Sequence, residues 1–362
     1  KLDMPNVAPL SEATATIPYR IEKPKPDAEY FLRVSYRLKD RILWADKGFE
    51  IACEQFKLPI NTVSALIAPS VSPVKITKDA QSVTISGHNF SLAFDKQSGS
   101  LIQLVKDGTN LLAADGGPKL HLWRSAHRND DMWAFRQWEK YGVDSLKYSL
   151  VSFDIKPVDK NSVNVVSVVK AEGKEGFGAL HTTAYLVKGD GTVTVTNKIE
   201  FVGTRINLAR IGVRFLLDKR LDNVTYFGRG PVENYSDRKS AQDVGQYKLD
   251  VNNQYEYEKP MDRGNHEDVR WADMSGGSMP SFSFQADKNL MQFSALPHTD
   301  EQMQNVEYKI DLPKSQATVF TLAAKTLGVG SNGCGPKPLD KYLVWSDNTE
   351  FPYVIDLSQI HE

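Results

Sequence analysis

Apolar and polar residues alternate in short runs along this chain. Residues 13–18 (ATATIP), 30–38 (YFLRVSYRL), 49–56 (FEIACEQF), 83–86 (VTIS), 90–94 (FSLAF), 163–169 (VNVVSVV) and 192–201 (TVTVTNKIEF) follow that pattern. Successive strand side chains point to opposite faces, so a period of two predicts strands with one buried face. β-branched and aromatic residues fill these runs while Gly, Asn, Asp and Pro separate them, which strengthens the assignment. Segments 108–110 (GTN) and 188–191 (KGDG) carry hairpin turn signals. Convincing helical periodicity is absent; the best candidate, residues 132–140 (MWAFRQWEK), is short and reads as a loop or a single turn. The pattern predicts an all-β protein.

A chain of 362 residues suggests two or three units rather than one small domain. Residues 1–60 offer three or four strands, fewer than the roughly seven of a complete immunoglobulin-like sandwich. That unit is therefore expected to be part of one. A polar, proline-containing stretch over 61–78 reads as a linker, and the residues beyond it carry strands enough for one large antiparallel sandwich. The strand pattern is already under way at Lys1, so the chain is expected to be a piece of a longer polypeptide, with any targeting segment outside it.

Charge narrows the partners. With 44 basic against 45 acidic residues the net charge is −1, which provides no field for nucleic acid or an anionic membrane and suits neutral partners such as sugars. No run approaches the roughly 20 apolar residues of a spanning helix. Cys53 and Cys334 lie too far apart in sequence to read as a disulfide framework or a zinc site, so free thiols are expected.

Residues 226–238 (YFGRGPVENYSDR) stand out. Gly228, Gly230 and Pro231 demand a sharply turned backbone that delivers Arg229, Glu233, Asn234, Asp237 and Arg238 together. A second polar segment, residues 264–271 (GNHEDVRW), follows. Two readings stay open: a ligand-binding loop, or a turn whose arginines pair with its own carboxylates. Trp123, Trp133, Trp138, Tyr235 and Trp271, beside Arg124, Asn129, Asp237 and Arg270, would suit a sugar groove or fill a sandwich core equally well. His121, His127, His181, His266 and His298 are available as acids, and each also fits as an ordinary core or surface histidine. Asn129, Asp130, Asp131, Asp262, Glu267 and Asp268 are oxygen ligands without calcium-loop spacing, so they read as solvated or arginine-paired groups.

These segments resemble the C-terminal region of bacterial β-galactosidases of glycoside hydrolase family 2. Residues 48–56 (GFEIACEQF) are similar to the last strand of that family's second immunoglobulin-like domain. Residues 94–101 (FDKQSGSL) and 123–130 (WRSAHRND) resemble segments of its terminal domain, and 327–336 (LGVGSNGCGP) its glycine-rich loop. The resemblance implies the end of an immunoglobulin-like domain over 1–60, a linker over 61–78, and a galactose-mutarotase-like β-sandwich over 79–362. It departs from the family at Cys334, where many relatives carry a tryptophan that stacks on the sugar.

The family hydrolyses terminal β-galactosides with two glutamates on a catalytic barrel, whereas this chain shows no alternating strand and helix pattern and no glutamate in an Asn-Glu context. The resemblance thus implies a non-catalytic part of a β-galactosidase. Its sandwich would wall the substrate pocket beside the barrel of a parent that is often homo-oligomeric, and the magnesium and sodium of the family would sit in that barrel. Residues implied to contact galactose or a galactoside are Arg124, Asn129, Asp130, Arg229, Asn234, Asp237, Arg238, Asn265, Arg270 and Cys334. An aldose 1-epimerase-like enzyme and a carbohydrate-binding module are the alternatives.

Overall fold

The structure, a computed structural model, describes residues 2, 6–26, 28–60, 72–331 and 334–361. The chain divides into two compact units, Lys1–Ala68 and Pro69–Glu362. Of the expected linker, residues 61–71 lie outside the described residues, and Lys75–Lys78 forms a strand of the larger unit, paired with Ser82–Ser86.

Among its described residues the smaller unit has two strands, Phe31–Arg37 and Glu50–Lys57, paired antiparallel from Phe31 with Lys57 to Tyr36 with Ala52. Arg33 clasps Glu50 through two hydrogen bonds of 2.6 and 2.9 Å across the pair. The strand expected over 13–18 does not form. Ala13, Thr14, Ala15 and Thr16 are small and exposed there, so alternation has no buried face to exploit.

In the larger unit the alternation sorts side chains as expected. Thr192–Val202 turns Val193, Val195, Asn197 and Ile199 inward, and Gly178–Lys188 turns Ala179, His181, Thr183, Tyr185 and Val187 inward. These two strands belong to a nine-stranded antiparallel sheet. Its spatial order is Asp243–Asp250, Asn223–Gly230, Trp271–Ser275, Phe282–Ala286, Thr349–Asp356, Thr192–Val202, Gly178–Lys188, Ser162–Glu172 and Lys147–Asp159. One five-stranded sheet runs His266–Val269, Met291–Leu296, Ala317–Thr326, Arg210–Asp218, Lys119–His121. The other begins with Lys75–Lys78 and Ser82–Ser86 and continues through Phe90–Asp95, Leu101–Lys106 and Thr109–Asn110.

Both five-stranded sheets pack on the nine-stranded one through aromatic rings. Phe284 lies 4.5 Å from Phe320 and 5.1 Å from Phe215, while Phe94 lies 5.1 Å from Tyr185, centroid to centroid. All five rings are buried in one continuous core. The expected turn at Gly108 is made by Asp107 and Gly108, both left-handed at φ 47° and 75°.

The segment 132–140 corrects the expectation of a loop or single turn. Residues Phe135–Tyr141 form an α-helix that ends at a left-handed Gly142, whose N–H donates to the carbonyls of Trp138 and Glu139. Trp138 is fully buried and donates to Asn207 O at 2.9 Å, while Phe135 and Tyr141 pack half-buried against the same core. Two helical turns leave little periodicity for the sequence to display.

Candidate functional site

Four segments distant in sequence meet in one hydrogen-bonded network: residues 124–130, 229–238, 262–268 and 327–330. Asn234 is its hub. Its backbone N–H donates to Asn265 O at 2.7 Å, its amide donates to Arg229 O and Val232 O, and its Oδ1 accepts from Glu267 N at 2.8 Å. Asn265 returns a bond from Nδ2 to Asn234 O at 2.8 Å. The polar turn read from the sequence is thereby fastened to the following polar segment.

The same turn holds the glycine-rich segment. Asp237 accepts from Val329 N at 3.0 Å and Gly330 N at 2.7 Å. Arg124 donates to Leu327 O at 2.9 Å and Gly328 O at 3.1 Å, and Asn129 donates to Val329 O at 2.6 Å. A Cβ at 328 would come within 2.7 Å of the Asp237 carboxylate and push it off the two amides it holds, so glycine suits this position. With a second bond from Asn129 to Gly330 O at 3.1 Å, six bonds from three side chains clamp four consecutive backbone units. Replacing Asp237 with alanine removes two of them, so hydrogen exchange at Val329 and Gly330 is expected to accelerate by about one to two orders of magnitude. Mass-spectrometric exchange would measure it, and unchanged protection at those amides would remove Asp237 from the clamp.

Buried charges support the clamp from below. Arg124 is fully buried and engages Asp130 by two bonds of 2.9 Å each. Burial alone would raise the Asp130 pKa, but the Arg124 charge and hydrogen bonds outweigh it and hold the carboxyl below its ordinary value. Arg210 meets Asp262 at 2.5 Å, and Asp262 also accepts from the Tyr235 hydroxyl at 3.3 Å. The Tyr235 ring is fully buried, with the guanidinium carbons of Arg124 and Arg238 at 5.8 and 5.4 Å from its centroid.

At the network's other end Arg229 meets Asp268 at 2.5 Å and Lys239 meets Glu267 at 2.8 Å. Burial raises the Glu267 pKa, and its Oε1 has no hydrogen-bond partner among the described residues. Arg238 and Tyr257 both donate to Glu233 Oε1, and Gly264 N donates to its Oε2 at 2.7 Å.

The structure therefore brings Arg124, Asn129, Asp130, Arg229, Asn234, Asp237, Arg238 and Asn265 into one network. Arg124, Asp130, Asn234 and Asn265 are buried in it, Asn129, Arg229 and Asp237 are half-buried, and Arg238 is exposed. Arg270 joins at the margin, donating to Asp268 O and lying 5.2 Å above the Phe227 ring. Cys334 is an exposed free thiol; the preceding residues of its loop, 332 and 333, lie outside the described residues.

Of the two readings open for the aromatic residues, core filling applies to three. Trp123, Trp138 and Tyr235 are core residues, whereas Trp271 stacks on His361 at 4.3 Å. Large rings in a sandwich gain most by filling its interior. Asp130, Asp262, Glu267 and Asp268 are arginine- or lysine-paired, and among the described residues no three metal-ligating side chains gather into a metal-holding group. The sequence reading missed the Arg210–Asp262 pair and the bonds of Tyr257 and Gly264 to Glu233, which join positions with no local motif.

Family comparison places this architecture. The family model described as "Beta galactosidase small chain" matches residues 86–355, and that of "Beta-galactosidase, domain 4" matches residues 1–59. The chain belongs to the β-galactosidase small-chain family. It is 27% identical to a β-galactosidase of Priestia megaterium, an alignment that covers 90% of this chain and 31% of that protein. To a β-galactosidase of Streptococcus thermophilus it is 26% identical, covering 97% of this chain and 34% of the other. The chain thus spans about a third of the length of the curated relatives it matches. Among solved structures, the aldose epimerase homologue from C. elegans aligns with a TM-score of 0.39 at 10% identity, covering 79% of this chain and 98% of that one.

Proposed function

We propose that this chain is the non-catalytic C-terminal part of a β-galactosidase, and that its larger unit shapes the pocket for a terminal β-galactoside. The reaction itself belongs to a catalytic barrel in the parent protein, together with the magnesium and sodium expected of that barrel. One observation carries this reading: the clamp of Arg124, Asn129 and Asp237 on residues 327–330, which fixes the base of a glycine-rich loop. A loop held rigidly at its base and left accessible at Cys334 suits a wall element that meets a second domain. Retaining hydrolysis needs an acid and a nucleophilic carboxylate about 5 Å apart over a shared substrate. The carboxylates of the network face arginines, lysines and backbone N–H groups, an arrangement that builds structure.

The purified 362-residue chain is expected to hydrolyse o-nitrophenyl β-galactoside no faster than a buffer blank. It is also expected to leave the conversion of fresh α-galactose to its β anomer, followed by NMR, at the uncatalysed rate. Galactoside hydrolysis above the blank would overturn the non-catalytic reading, and accelerated anomer conversion would replace it with an epimerase.

A further inference from the structure

The inner face of the nine-stranded sheet is apolar except at one place. Ser167, Thr183 and Asn197 lie side by side on three adjacent strands, Ser167 opposite Thr183 and Thr183 opposite Asn197 in the pairing register. His181 adds a fourth polar group two residues from Thr183 on the same face. Along the same strands the inward positions are Val163, Val165, Val187, Val193 and Val195, so a polar stripe crosses a valine surface. Sandwich interiors favour apolar residues at such positions, since a buried hydroxyl or amide without a partner costs about 1–3 kcal/mol.

Three of the four groups satisfy one another. His181 Nε2 lies 2.9 Å from Asn197 Oδ1 and 3.2 Å from Thr183 Oγ1. Ser167 does not: its residue is 4% exposed and its Oγ has no hydrogen-bond partner among the described residues. The stripe borders a cavity of about 480 Å³, which Ser167, His181 and Thr183 line from the sheet side. This cavity shares no residue with the network of residues 124–130, 229–238, 262–268 and 327–330.

We propose that the cavity is a second ligand site, which binds a neutral, hydroxyl-rich molecule of monosaccharide to disaccharide size. The volume falls within the range of small-molecule pockets, roughly 300–1,000 Å³. Its sheet side is uncharged: His181 is kept neutral by burial, which brings its pKa down to about 4, and the charged lining residues Lys119 and Asp115 are exposed. A carboxylate or phosphate ligand would find no buried counter-charge among these groups, whereas a hydroxyl would find the Ser167 and Thr183 oxygens. Tyr148 supplies the complementary apolar surface. Its hydroxyl donates to Leu120 O at 2.8 Å, which fixes the ring, and Leu101 and Leu150 extend that wall for the C–H face of a pyranose.

Titration of the full chain with D-galactose, lactose and D-galacturonate, followed by ligand-observed NMR, tests the site. The two neutral probes are expected to saturate with Kd on the order of 1 mM, and galacturonate to bind at least about tenfold more weakly. Ser167→Ala and the near-isosteric Thr183→Val should each weaken the neutral probes about fivefold, the loss of one hydrogen bond, while the melting temperature confirms the fold. Both cavity variants should leave hydrogen exchange at Val329 and Gly330 as in the wild type, since neither residue touches the glycine-rich segment, so this site and the proposed wall function can fail separately. Absence of saturable binding, galacturonate binding as tightly as galactose, or wild-type affinity in both cavity variants would overturn the proposal.

Discussion

Arg124→Met is expected to cost the larger unit about 3–5 kcal/mol of stability. The substitution keeps the aliphatic stem but strands Asp130, which is 1% exposed and loses both guanidinium bonds at once. Two further acceptors, Leu327 O and Gly328 O, lose their donor in the same step. Asp130 also accepts from His127 N at 3.0 Å and so caps the short helix Arg128–Asp131. The unpaired carboxylate therefore cannot turn away without releasing that helix. Pairing the change with Asp130→Asn removes the stranded charge while leaving a carbonyl oxygen for the cap, so the double variant should recover a substantial part of the loss. Urea unfolding followed by tryptophan emission would measure both, because Trp123 and Trp138 are buried in the same unit. A loss below about 1 kcal/mol for Arg124→Met would show that the pair is no more than a surface-like contact.

The strands of the larger unit were legible because their buried faces announce themselves. Val193, Val195 and Ile199 alternate with polar residues, and the structure buries all three. In the smaller unit the same alternation misled at residues 13–18, where Ala13, Thr14, Ala15 and Thr16 are all exposed. Period two states a capacity for pairing, and a partner decides whether it is used. The helix Phe135–Tyr141 was illegible because it is only two turns long: Phe135, Trp138 and Tyr141 share its core side, too few positions to display a period.

For the candidate site, the polar residues could be named from sequence but their directions could not. Asp237 and Arg238 are neighbours in one turn, yet Asp237 accepts from the backbone of residues 329 and 330 while Arg238 returns to Glu233 within its own turn. Backbone amides and carbonyls are present at every residue, so a side chain that seeks a remote one leaves no signature. The stripe of Ser167, Thr183 and Asn197 was hidden differently. Each sits in a run with mostly apolar inward positions, and only the pairing register brings the three together.

Stability of the larger unit is expected to fall steeply as pH drops from 6.5 towards 4. His181 and His266 are buried, and loss of hydration brings each ring's pKa down to about 4; for His266 the carbonyl of Arg229 and the charge of Glu233 oppose that burial only partly. In the unfolded chain each ring titrates near 6.5. Above that value both states are neutral and pH has no leverage through these groups. Between 6.5 and about 4 the unfolded chain takes up a proton at each ring that the folded chain refuses, so unfolding gains about 1.4 kcal/mol per pH unit for each ring. Below the folded value both states are protonated and the effect levels off, after a loss on the order of 3 kcal/mol per ring. His121 and His127, also lowered by burial, add to the same window, while the carboxyls of Glu267 and Asp131, raised by burial, oppose it. Arginine-held carboxylates such as Asp130 act at more acid pH, where the unfolded carboxyl begins to protonate. Urea midpoints measured from pH 7 to 4.5 should therefore decline, and His181→Gln should flatten the slope by about one proton's worth. The variant matters because a neutral amide keeps a donor for Asn197 Oδ1, which now lies 2.9 Å from the ring nitrogen, without offering a titrating group. Midpoints that stay level or rise over that interval would mean that the rings accept protons in place, and that the interior around His181 and His266 is wetter than its burial indicates.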